Sequence, residues 1–283
     1  MTQKYFGVTA VLLVGLAIPM AELTAAPPQL ASHRAVYSMN MGTTRSGSNT
    51  LDARGVMYLE LAEACDGWTV SQRVKLTLYP TQGGEVDTDA NYSSWESRDG
   101  SEFRYTVRNL RNGKVTEEYR GEARLDGPNR SGKAVYTAPL GMSFDLPKGS
   151  LFPSEHMIKL IAAAQAGERR LSRVMFDGAS VEGPLEVNAI IGAPLAAPTV
   201  AAHELLNTPS WPVRMAFFTL QSQRAEPEQE ASLQLFENGV ANNFLLDYGD
   251  FSVTAVVQKI ETIPGPKCDR LAFRGWIPSL NPV

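Results

Sequence analysis

Alternation of apolar and polar residues is the feature that most constrains this chain, because a period of two sends successive side chains to opposite faces of a sheet. Trp68, Val70, Val74, Leu76 and Leu78 fall on one face of such a run, and Thr69, Ser71, Arg73, Lys75 and Thr77 on the other. Val115, Tyr119, Gly121, Ala123 and Leu125 likewise oppose Thr116, Glu118, Arg120, Glu122 and Arg124. Both runs read as half-buried strands, apolar inside and charged outside. Between runs of this kind the turn dipeptides Asp66-Gly67, Asp99-Gly100, Asn112-Gly113, Asp126-Gly127, Asp177-Gly178 and Asn238-Gly239 recur. These pairs tolerate positive φ and favour tight hairpins, so they predict an antiparallel meander without helical crossovers. The stretch from Glu102 to Leu125, centred on Asn112-Gly113, is the clearest hairpin. The fold class is therefore mainly β.

One segment departs from that period. After Pro153, with Ser154 as N-cap, helix formers run from Glu155 to Ala166 and stop at Gly167. Only Lys159 is charged between Met157 and Ala164, so the helix is apolar around most of its circumference and calls for burial on nearly all sides. Two placements meet that demand: the interior or mouth of a curved sheet, or the surface of one sheet face. Gly192 to Pro212, rich in Ala and Pro, reads as a long connection, a candidate lid or edge cover with a helical turn around His203 to Leu206. Glu226 to Glu230 reads as a second connection.

The N-terminus reads as a secretory signal. Lys4 precedes an apolar run from Phe6 to Ile18, followed by small residues at Ala21, Ala25 and Ala26. That run falls short of the roughly 20 apolar residues that span a bilayer. The expected organisation is a signal peptide over 1–26 and a single domain over 27–283, exported as a soluble protein, with an uncleaved N-terminal anchor as the alternative. No cysteine stands near the cleavage region to carry the acyl chains of a lipoprotein. The formal net charge of −4 and pI near 5.5 argue against nucleic acid as a partner, which would need a clustered basic surface.

Cys65 and Cys268 are the only cysteines. In an oxidising compartment two thiols pair more readily than they remain free, so one long-range disulfide is expected, with two buried free thiols as the alternative. Such a bridge would tie the opening edge of a rolled sheet to its closing one.

Catalytic and metal constellations are not legible. His33, His156 and His203 are isolated, and His156 is expected to be partly exposed in the first turn of the helix. Nucleophile-elbow, zinc-protease and phosphate-loop motifs do not occur, so no catalytic residue, cofactor or metal site is assigned. Glu85, Asp87 and Asp89 alternate on one strand face and read as solvated, lacking the six to eight oxygens of a calcium site.

Several stretches carry a family resemblance. His33-Arg34-Ala35-Val36-Tyr37, Leu151-Phe152-Pro153-Ser154-Glu155-His156 and Phe176-Asp177-Gly178 are three of them. Leu235-Phe236-Glu237-Asn238-Gly239-Val240, followed by Leu246-Asp247-Tyr248-Gly249-Asp250-Phe251, is the longest. Together they resemble the envelope integrity protein B family of alphaproteobacterial periplasmic proteins, with Phe236 standing where tyrosine is expected. The resemblance implies a curved, many-stranded antiparallel β-spiral, barrel-like, around an inserted apolar helix, similar to lipoprotein-carrier architecture. It also implies a disulfide between Cys65 and Cys268 and no catalytic residues. The implied role is non-enzymatic maintenance of cell envelope integrity, with a hydrophobic ligand (lipid, acyl chain or peptide) in the spiral and a periplasmic tetratricopeptide-repeat protein as partner. The alternatives are a scaffolding protein acting through its outer surface and, last, an exported hydrolase.

Overall fold

A computed structural model describes residues 28–127, 131–199, 201–220 and 225–268. The signal-peptide expectation for 1–26 lies outside the described residues. Two meanders make up the sheet. The first runs through β1 (His33–Thr44), β2 (Thr50–Glu63), β3 (Gly67–Pro80), β4 (Val86–Ser97), β5 (Glu102–Arg111), β6 (Lys114–Leu125), β7 (Gly132–Ala138) and β8 (Ser143–Leu146). The second runs through β9 (Arg170–Met175), β10 (Leu185–Ile191), β11 (Ser210–Thr219), β12 (Gln229–Phe236), β13 (Ala241–Asp247) and β14 (Phe251–Thr262). Each strand pairs antiparallel with its sequence neighbour, except that β8 does not pair with β9. Instead β1 pairs with β14, with His33 opposite Thr262 and Met39 opposite Ala255, so the two meanders fuse into one 14-stranded sheet.

The edges of that sheet are β8 and β9, strands from the middle of the chain. The connection between them carries the helix α1 (Pro153–Gln165), whose 13 residues extend about 20 Å at 1.5 Å per residue. Ahead of the helix, Leu151 lies along the free side of β9: its N–H donates to Val174 O at 2.9 Å and its C=O accepts from Phe176 N at 3.0 Å. This bridge satisfies part of an otherwise bare edge while the sheet itself stays open.

Alternation reads through to the coordinates. On β3, Trp68 and Leu76 are buried while Ser71, Arg73 and Lys75 are exposed. On β6, Gly121, Ala123 and Leu125 are buried between exposed Arg120, Glu122 and Arg124. Val115, assigned to the apolar face, is 43% exposed, because it sits next to the β5–β6 turn, beyond the buried part of the hairpin. Asn112 and Gly113 form that turn with φ of +49° and +73°. Asp177-Gly178 does not make a tight hairpin turn; it lies in the longer connection between β9 and β10. The 192–212 connection is shorter than expected, since Trp211 and Pro212 already belong to β11. Its 3-10 turn at Glu204–Leu206 starts on His203, whose Nδ1 accepts from Leu205 N at 3.2 Å. Leu205 and Leu206 pack against the core around Tyr37, Met39 and Val253, so this segment covers apolar surface. Glu230, read as loop, pairs within β12.

The helix is interior. Its His156, Leu160, Ile161, Ala163 and Ala164 are buried, in a core shared with Leu171, Ile191, Trp211 and Leu235, while Lys159 stays exposed, 3.7 Å from Glu155. Next to the helix start, Phe152 stacks on Phe103 with ring centroids 4.9 Å apart, within an aromatic cluster that includes Tyr105, Tyr136 and Phe176. The helix begins two residues before its expected start, and Ser154 is not its cap. Glu96, from the inner face of β4, takes that role: its carboxylate accepts Ser154 N–H at 2.6 Å and Glu155 N–H at 2.8 Å. Two amides that the helix cannot satisfy internally are thus held by a group 2% exposed. At the far end, Gly167 N–H bonds Ala164 O and Glu168 N–H bonds Ala163 O, a paired closure that a residue in left-handed conformation, here Gly167 at φ +77°, makes possible.

Cys65, in the turn between β2 and β3, is joined to Cys268, beyond β14, with Cα atoms 5.6 Å apart. Because the sheet edges are β8 and β9, this bond does not clasp edge to edge as the sequence led us to expect. It fastens the tail after the last strand to a turn two strands away.

Two buried groups titrate against each other. Burial pushes the Glu96 carboxyl up to about 7, outweighing the two amide bonds that favour its charge. His156 is 4% exposed, not partly exposed as expected, and burial, helped by Arg173, pushes its imidazole down to about 4. An acid raised in the folded state binds its proton first, so folding gains stability as pH falls from about 7 to about 4.5. A base depressed in the folded state does the reverse, losing stability from about pH 6.5 downwards. Each effect amounts to about 3 kcal/mol across its window, and they oppose over most of it. Glu96→Gln removes one side only. Urea unfolding should show wild type gaining about 3 kcal/mol relative to this variant between pH 8 and pH 4.5; parallel stability curves would show that the Glu96 proton is not linked to folding.

Candidate ligand cavity

Beside the first turn of α1 the interior is not filled. A cavity of about 680 Å³ opens between the helix, the inner faces of β2 to β5 and the strands β12 and β13. This lies inside the range of about 300–1,000 Å³ typical of small-ligand sites. Its walls follow from the alternation: Leu59 and Leu61 from β2, Val70 and Val74 from β3, Val107 from β5 and Phe244 and Leu246 from β13 all occupy inward positions. Met157 of the helix completes the apolar lining, and its unbranched side chain adapts to occupants of varied shape. The apolar helix therefore plugs the roll only in part.

Polar groups are few, and most are engaged. Tyr92 O–H donates to the Asp177 carbonyl at 3.0 Å, and Asp177 Oδ1 accepts from Ala179 N–H at 2.9 Å. Burial pushes the Asp177 carboxyl above the usual range and the Tyr92 hydroxyl far upward. The Gln72 amide reaches only the weak sulfur acceptor of Met57, at 3.4 Å. His33 Nδ1 lies 2.8 Å from Ala31 O; a carbonyl only accepts, so Nδ1 carries the proton and Nε2 is left as a lone pair with no partner among the described residues. Burial also pushes the His33 imidazole down, which keeps it neutral.

The residues singled out from the sequence do not converge here. Of the three histidines, only His33 lines the cavity; His156 is packed in the core and His203 caps the 3-10 turn. Asp87 and Asp89 lie on the outer face of β4, where Asp87 accepts the Thr77 hydroxyl and Asp89 accepts two bonds from Arg73 at 2.8 and 2.6 Å. Among the described residues no cluster of His, Cys, Asp and Glu could hold a metal, and no helix is long and apolar enough to cross a membrane. Cys65 and Cys268 are not part of the cavity wall. Sequence reasoning left open whether the helix fills the roll or leaves a cavity, and it missed Glu96. The available signal was the inward parity of Ala90, Tyr92 and Glu96 on one strand, which puts a carboxylate where an apolar residue belongs.

Known proteins share both the sequence pattern and this shape. The "Cell envelope integrity protein EipB" of Brucella abortus (strain 2308) is 27% identical over 249 residues, covering 85% of this chain and 87% of that one. A crystal structure from Brucella abortus, described as a β-barrel-like protein of a domain of unknown function, DUF1849, superposes with a TM-score of 0.76 at 25% identity, covering 84% of this chain and all of the other. The family model described as EipB-like matches residues 24–264, the whole of the sheet and its helix, and this chain belongs to the EipB-like family.

Proposed function

We propose that this protein is a non-enzymatic periplasmic factor that maintains the integrity of the cell envelope by holding a hydrophobic ligand, a lipid, acyl chain or peptide, inside its β-spiral. The observation that carries the reading is the apolar cavity of about 680 Å³ beside a helix that occupies the rest of the roll. Cavities of that size cost stability unless filled, since their walls forgo the contacts a packed core would make. The name of the Brucella relative supports the envelope role. A reading in which the outer surface does the work, through contacts with periplasmic partners such as a tetratricopeptide-repeat protein, uses the same fold with an idle interior.

Displacement of a neutral fluorescent probe by acyl ligands separates the two. Each added methylene that enters the cavity contributes about 0.8 kcal/mol, so affinity should rise roughly fourfold per carbon until the chain outgrows the space. Val74→Phe, which fills the wall of β3, should lower affinity at least tenfold and impair envelope integrity in cells while the protein stays folded. No probe binding, with harm instead from Arg120→Glu or Arg124→Glu on the exposed face of β6, would favour the surface reading.

The Cys65–Cys268 bond belongs to the same proposal, as a fastening suited to an oxidising compartment. It closes a loop of 203 positions, for which the chain-entropy model assigns about 5 kcal/mol. Protein taken from the periplasm should resist alkylation until reduced, and Cys65→Ser should lower the urea midpoint clearly. Labelling of both thiols without reductant would remove the bond from this account.

A further inference from the structure

Charged residues are unevenly placed around the cavity. Of the described residues that line the cavity, none is Lys or Arg, and Asp177 is the one carboxylate. Arg34, Arg73 and Lys259 lie on the other side of the sheet, where they border a shallow groove on the outer face of β14, β1, β2 and β3, with Glu60 and Glu261 among them, while Arg173, at an inward position of β9, lies outside the cavity lining. On β1, β2 and β3 strand alternation sets that separation, since inward and outward positions cannot mix without a slip in register.

One feature inside the fold would ordinarily receive an anion, the start of α1, where free amides and the helix dipole coincide. It is taken. Glu96 occupies both amides, of Ser154 and Glu155, and Ser154 itself borders the cavity. His33 adds no positive charge: its proton is committed to Ala31, and what remains is an acceptor lone pair that complements a hydroxyl or amide N–H. At the β5–β6 hairpin, Asn109 Nδ2 donates to Glu117 Oε2 at 2.6 Å, which brings another carboxylate next to a lining residue.

Resting on the carrier reading above, we infer that the cavity accepts uncharged acyl amphiphiles, with head groups bearing hydroxyl or amide donors, and excludes those whose phosphate or carboxylate would have to enter with the chain. A buried anion there meets no countercharge, no free helix terminus and at least one like charge, so its desolvation is uncompensated.

The test uses the full mature protein at pH 8 and a neutral naphthylamine probe. Three competitors of one medium chain length displace it: a monoacylglycerol, the corresponding lysophosphatidic acid, and an N-acylated uncharged dipeptide amide. Both neutral competitors should displace the probe at concentrations at least tenfold below the lysophosphatidic acid, and the better of the two tells glycerolipid from acylated peptide. Gln72→Arg places a cation on the inner face of β3 and should narrow or reverse that preference; Asn109→Lys serves the same purpose from β5 if the first variant does not fold. Lysophosphatidic acid displacing the probe from wild type as well as the neutral compounds do would overturn the inference and leave the carrier reading intact. A probe that never enters would overturn both.

Discussion

The pairing of β1 with β14 is the constraint from which the rest of this architecture follows. Two meanders, each built from local hairpins, become a single sheet only because the first and last strands meet over ten register pairs. That seam sits in the middle of the sheet, so the free edges fall to β8 and β9, which are neighbours in sequence. The chain must then travel from one edge to the other. With a rolled sheet in the way, the route runs along the interior, and the segment that takes it has to satisfy its own backbone hydrogen bonds away from water. A helix is the conformation that does so, and an apolar circumference is what the surroundings require of it.

A buried helix still has two ends, and the ends show how the interior was made tolerable. At the C-terminal end the chain closes locally, through Gly167. At the N-terminal end it borrows a carboxylate from β4. Glu96 sits in a place where burial opposes its charge and two amides favour it, and burial prevails. The arrangement ties helix position to sheet position: if α1 slid by one turn, the two amides would lose their acceptor and the carboxylate would be left buried without a partner, at a cost of several kcal/mol. The helix is therefore registered against the sheet by a polar contact, with the aromatic stack of Phe103 on Phe152 beside it to hold the entry angle.

Local features were legible in the sequence and long-range ones were not, for a physical reason. The strands around Trp68 and Tyr119, the Asn112-Gly113 turn and the apolar helix each depend on residues close together along the chain, where periodicity and turn chemistry act. The β1–β14 seam and the Glu96 cap each join residues far apart, and nothing in the immediate neighbourhood of Glu96 or Ser154 announces the other. Ser154 followed a sound local rule for helix caps and lost to a stronger acceptor delivered by the tertiary fold. His156 failed in the same way: a polar residue in a first turn is usually wet, but this turn faces the inside of a roll. The cavity was legible only as a question, because whether an apolar helix fills a curved sheet depends on volumes that sequence patterns do not encode.

Alternation, the most elementary property of the chain, ends up deciding what the interior can hold. A strand that keeps one side apolar for the sake of folding keeps most charge off that side, so the wall of the cavity inherits its lack of cations from the rule that formed the sheet. In most β proteins that rule yields a filled core and has no further consequence. Here the helix enters from one edge and occupies only part of the roll, and the unoccupied part retains a lining of core character with access to solvent. Fold alone does not assign function. A space whose walls are core-like, whose nearest anion receptor is already capped by Glu96 and whose lining carries no cation among the described residues is nonetheless a specific chemical environment, one in which an uncharged acyl chain loses less on entry than any ligand that must bring its charge along.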